Sequence, residues 1–202
     1  QNPLSITGDV TGATGMGVAN TGTGSVTVSG TVTGGSAASA HGISNTSTGT
    51  VTINTAVVGG SHVSAYGINN SSSGIVIVNG TVSGSAGPGA YANSAGAFIV
   101  TGTITGGSGF GVQGIYNAGS GAVHAQGNVS SGAGPSSYGI QNALLGLVSV
   151  RGSILVGGGG AAGVLQSGGA TTYNNIVYAV GTGNWSAGGT WSTGAAPGPT
   201  TQ

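Results

Sequence analysis

A chain of 202 residues suits one domain, yet only Asp9 and Arg151 carry a formal charge at neutral pH. Ordinary soluble domains are about 25% charged. This scarcity excludes a basic groove for nucleic acid and an acidic patch for cations.

Glycine supplies 47 residues and proline only five. Collagen is excluded because glycine does not fall at every third position. Disorder fits poorly, because Val, Ile and Thr recur at regular intervals. Cysteine is absent, so neither disulfide nor thiolate chemistry is available. No apolar run is long enough to span a membrane as a helix, and no membrane insertion is expected. The chain begins at Gln1 and reads as a mature, secreted chain after removal of a signal peptide, the alternative being a piece cut from something longer.

Taken along the chain, the first alternation is Leu4, Ile6 and Val10 around Gly8. A segment Gly17-Val18-Ala19-Asn20 follows, then a period-two strand with Val26, Val28 and Val32 on one side and Gly30 between them. Gly34-Gly35 closes the strand, and glycine there is read as supplying a sharp turn. The unit then repeats. Its Asn segments recur at Gly42-Ile43-Ser44-Asn45, Gly67-Ile68-Asn69-Asn70, Ala90-Tyr91-Ala92-Asn93, Gly114-Ile115-Tyr116-Asn117 and Gly139-Ile140-Gln141-Asn142, with a decayed copy ending at Gln166. The spacings are 25, 25, 23, 24, 25 and 24 residues.

One such unit cannot bury its own apolar face, but a stack of them can. The fold expected is all-β: a single-chain parallel β-helix, or β-solenoid. Its coils span 22–25 residues, with six clear coils plus partial terminal ones. Each coil reads as strand, corner, short strand and Asn corner. Residues 1–170 form the repeats, and 171–202 form a terminal strand or cap with a Trp-containing tail. Strand spacing gives a rod about 35–40 Å long. Asn20, Asn45, Asn70, Asn93, Asn117 and Asn142 are expected to stack as a structural ladder.

Past Ser167 the pattern fails. Tyr173, Ile176 and Tyr178 mark an apolar stretch, followed by Asn184-Trp185-Ser186 and Thr190-Trp191-Ser192-Thr193-Gly194-Ala195-Ala196-Pro197. Gly-rich repeats with Asn corners, together with these two tail elements, resemble passenger regions of bacterial autotransporter and filamentous-haemagglutinin-like surface proteins. The resemblance implies a right-handed β-helix, export to the cell surface, and adhesion or scaffolding. These 202 residues depart from that group in carrying almost no charge, and no stretch among them reads as a membrane barrel.

Catalysis and cofactors are not expected. Glycoside hydrolysis by acid and base usually takes two carboxylates, and this chain has one. Asp9 and Arg151 lie about six coils apart, on the order of 30 Å, too far to share a site within one chain. A zinc site needs three or four converging ligands, and His41, His62 and His124 occupy different places in their coils. They read as exposed or corner residues. N-x-S/T triplets make Asn45, Asn79, Asn128 and Asn184 candidate glycosylation sites on a surface short of charge.

Three functions fit this pattern. The first is a structural subunit of an extracellular fibre or surface scaffold, its partner being copies of itself joined head to tail. Leu4, Ile6, Val10, Tyr173, Ile176, Tyr178, Trp185 and Trp191 are its candidate contacts. The second is a monomeric surface adhesin binding glycans or another surface, with Tyr66, Tyr116 and Tyr138 as contacts. The third is an ice-binding solenoid using Thr31 and Thr33, Thr81 and Ser83, and Thr103 and Thr105, an array that Ala56, Val58, Asn128 and Ser153 interrupt.

Overall fold

The structure is a computed structural model that describes residues 3–144, 146–156, 162–166 and 171–173. Among these residues there is no helix, and every strand pairs in parallel with strands of neighbouring coils. The chain is a β-solenoid of about six turns.

Each coil contains three strands, one from each of three sheets. The first sheet stacks β1 (Leu4–Ile6), β4 (Val26–Val28), β7 (Thr50–Ile53), β10 (Ile75–Val78), β13 (Ala97–Val100), β16 (Ala122–Ala125), β19 (Leu147–Val150) and β22 (Thr171–Tyr173). The second stacks β2 (Val10–Thr11), β5 (Val32–Thr33), β8 (Val57–Val58), β11 (Val82–Ser83), β14 (Ile104–Thr105), β17 (Val129–Ser130) and β20 (Ile154–Leu155). The third stacks β3 (Val18–Asn20), β6 (Ile43–Asn45), β9 (Ile68–Asn70), β12 (Ala90–Ala92), β15 (Ile115–Asn117), β18 (Tyr138–Asn142) and β21 (Ala162–Gln166).

The long strand expected in each coil is therefore two strands. The chain bends at Ser29-Gly30 and its counterparts. Val26 and Val28 then point inward from the first sheet, and Val32 points inward from the second. Alternation alone cannot show such a bend, because the inward residues keep an even spacing across it.

Register stacks the inward residues into columns, of which Val28, Ile53, Val78, Val100, Ala125 and Val150 form one. Val26, Val51, Val76, Phe98, Val123 and Val148 form another on the same sheet. Val32, Val57, Val82, Ile104, Val129 and Ile154 form the column of the second sheet. Ile43, Ile68, Ala90, Ile115 and Ile140 form an apolar column of the third. All are buried in one continuous cluster. A single register slip would turn a whole column outward, which fixes the stacking strongly.

The glycine pairs have a different role from the one expected. Neither Gly34 nor Gly35 takes a left-handed conformation; that conformation falls on Ala13, Ser39, Ser85 and Ser136, and on Gly8 and Gly111. Close stacking excludes a side chain instead: a Cβ on Gly60 would meet the Gly35 carbonyl oxygen of the coil before it. Likewise a Cβ on Gly42 would lie 2.7 Å from the Gly67 carbonyl oxygen and 2.6 Å from Val57 Cγ1. In the segment read as a terminal strand or cap, β22 pairs with β19.

Candidate functional site

The Asn column is an inward-facing ladder at the end of the third-sheet strands. Asn20 Nδ2 donates to Asn45 Oδ1 at 3.0 Å, and Asn45 Nδ2 donates to Asn70 Oδ1 at 3.2 Å. Asn117 Nδ2 donates to Asn142 Oδ1 at 3.2 Å. Asn45, Asn70, Asn117 and Asn142 also donate to the carbonyl four residues on, at Gly49, Gly74, Gly121 and Gly146. The amide thus ties each coil to the next and closes its own turn.

Asn93 is not part of this ladder. Register places Ala92 opposite Asn70, and Asn93 lies one residue on, exposed in the turn. The coil is shorter between the second and third sheets, where residues 84–89 do what 59–67 do one coil earlier. Aligning on Gly89 and on Gly96, four residues after Ala92, would have found the right register. Alignment on the Asn itself could not. The gap has a visible effect. Asn70 Nδ2 turns to the Ala97 carbonyl at 3.1 Å, and Asn117 Oδ1 is left buried without a hydrogen-bond partner.

A second column runs outside the third sheet. His41 stacks on Tyr66 with ring centroids 4.8 Å apart and planes 17° apart. Tyr66 meets Tyr91 at 4.9 Å, and Tyr91 meets Tyr116 at 5.2 Å, both tilted. These tyrosines are half-buried, so their first use is to cover one another. Tyr138 is half-buried in β18. Burial also pushes the Tyr66 and Tyr91 hydroxyls above their ordinary pKa, with neighbouring tyrosines adding to it.

His41 lies at a corner between β5 and β6 and is not exposed. Its side chain is buried, and its Nδ1 accepts the Tyr66 N–H at 3.0 Å. Burial lowers its pKa from 6.5 to about 4. A depressed value means that the unfolded chain binds the proton first. The stabilisation is therefore full above pH 6.5 and is lost as pH falls through 4. Protonation also turns the Nδ1 acceptor into a donor. A loss of about 2 kcal/mol between pH 7 and pH 4 is expected, allowing for solvent screening. Urea unfolding of the wild type and His41→Gln at both pH values checks it: the variant should lose most of the pH dependence.

His62 is exposed, its Nδ1 accepting the Ser64 N–H at 3.1 Å, and His124 is half-buried on the outer face of β16. Among the described residues no group of three His, Cys, Asp or Glu gathers as metal ligands. Asp9 accepts the Thr31 N–H at 2.7 Å on Oδ1, closing the corner between the first two coils.

The sequons separate by burial. Asn45 is fully buried in the ladder, so a glycan there is incompatible with the folded coil. Asn79 and Asn128 are exposed at the corner between the first and second sheets. Asn79 Nδ2 donates to Asn54 Oδ1, and Asn128 Oδ1 accepts the Ser153 N–H. Asn184 lies outside the described residues.

At the N-terminal rim, Leu4 is 54% exposed and Met16 39%, while Ile6 and Val10 are half-buried. Tyr173 lies in β22. Ile176, Tyr178, Trp185 and Trp191 lie outside the described residues. No family model, curated protein or solved structure matches the chain.

Proposed function

We propose that this chain is a structural rod of an extracellular fibre or surface scaffold, joined head to tail with copies of itself. The observation that carries the reading is the in-register stack, in which each coil adds one strand to each of three parallel sheets. A parallel strand edge is a template for further pairing. The inward columns repeat Val, Ile and Asn at most levels, so a second copy stacked end on would meet a surface like the one most coils already stack upon.

Polarity makes the contact head to tail. All strands run parallel, and the observed Asn-to-Asn bonds donate in the chain direction. A head-to-head contact would reverse both. Heterologous contacts that do not close on themselves give open filaments. With one positive and one negative residue, little charge opposes association. The extracellular placement rests on the likeness of the repeat and tail to bacterial surface proteins. Exposed Asn79 and Asn128 would be the places for any N-linked glycan.

Negative-stain electron microscopy with sedimentation tests this reading. Long uniform filaments are expected, and Leu4→Lys should shorten them by burying a charge at each junction. Dispersed rods of one subunit would sink the fibre and favour the monomeric adhesin.

A further inference from the structure

We propose that the outer face of the first sheet carries a binding site for the carboxylate of an acidic sugar, centred on Arg151. This site is independent of assembly. The structure shows a concavity of 350 Å³ lined by Ile99, His124, Ala125, Gln126, Ser149 and Arg151. That volume lies within the range of small-ligand sites, about 300–1,000 Å³.

The stacking register builds it. Ile99, His124 and Ser149 are successive members of one outward column, paired in register across β13, β16 and β19. Gln126 and Arg151 follow these strands at the corner, one coil apart, where both side chains are exposed. Their backbone N–H groups are held by Val100 O and Ala125 O at 2.9 Å, so each long side chain leaves a rigid corner. Ser149 is the smallest outward residue of its column from Ile77 to Ser149, and it leaves room beside His124 and Arg151.

The chemistry of the lining favours an anion. Arg151 is the chain's one Arg or Lys, and the one acidic side chain, Asp9, lies in the first coil on the Thr31 N–H. No side chain of the lining is acidic. A guanidinium presents a planar fork of donors that fits a carboxylate with two parallel bonds. Gln126, Ser149 and His124 can each donate or accept, which suits the hydroxyls of a sugar ring. Ile99 offers an apolar patch to the ring's C–H face. A hexuronic acid joins these three features in one small molecule, whereas acetate supplies only the carboxylate and glucose only the ring.

Titration of the protein with glucuronate, glucose and acetate, followed by ligand-observed NMR, tests the site. Glucuronate should bind at least about tenfold more tightly than either of the others. Arg151→Gln, an exposed substitution that leaves the core untouched, should remove that preference, and Arg151→Lys should restore part of it. Glucose or acetate binding as well as glucuronate would overturn the proposal. So would unchanged glucuronate binding in Arg151→Gln, or no binding at all. Filament formation, scored in the same samples, reports on the fibre reading separately.

Discussion

Asn45→Ala should lower the unfolding free energy by about 2–4 kcal/mol, with Asn70 Oδ1 the main group left without a donor. Asn45 is fully buried, accepts from Asn20 and donates to Asn70 and to Gly49 O. The molecule already contains the same deletion at Ala92, which shows how the coil responds. There the preceding amide finds the Ala97 carbonyl, while the following oxygen, on Asn117, stays orphaned. In Asn45→Ala the Asn20 amide can turn in the same way to the Thr50 carbonyl, the residue in register with Ala97 through Ile75. The orphaned oxygen and the vacated volume have no such remedy. Urea unfolding followed by circular dichroism measures the difference. A change below about 0.5 kcal/mol would mean that the ladder contributes order without stability.

Phe98→Ala is the second large effect, about 3–5 kcal/mol. Phe98 is fully buried in a column that valine otherwise occupies from Val26 to Val148. The strand just before it carries Ala90 where the adjacent coils place Ile68 and Ile115, and Ala92 where they place Asn70 and Asn117. The large ring and the two small residues belong to one buried cluster, and a trade of volume between them is the effect a paired substitution tests. Removing the ring leaves a cavity that Ala90 cannot fill. Phe98→Val combined with Ala90→Ile should therefore be milder than the two single changes added together. A double-mutant cycle by chemical denaturation measures that coupling. Hydrogen exchange should show opening centred on β12 and β13, since each coil is held mainly by its neighbours.

The repeat was readable because stacking imposes a strict period. Val26, Val51 and Val76 recur at equal intervals, and so do Asn20, Asn45 and Asn70. The fold class and the parallel stack follow from that alone. The division into three sheets was not readable, since Val28 and Val32 keep an even separation through the Ser29-Gly30 bend. Asn93 misled because an Asn happens to follow the true ladder position, while the shortened 84–89 connection shifts the count. The packing role of the glycine pairs needed coordinates: sequence shows a glycine, and only the neighbouring coil shows the carbonyl that excludes a Cβ. The burial of His41 was not readable, because its partner, Tyr66, lies 25 residues away and one coil further on. The concavity at Arg151 likewise joins residues of three successive coils.

The most direct test of the fibre is X-ray diffraction from oriented native filaments. End-to-end solenoids place every strand across the filament axis, so a meridional reflection near 4.8 Å is predicted. The rod length of one subunit should appear as the longer axial repeat. A 4.8 Å reflection on the equator would mean that the rods pack side by side, and it would contradict head-to-tail assembly.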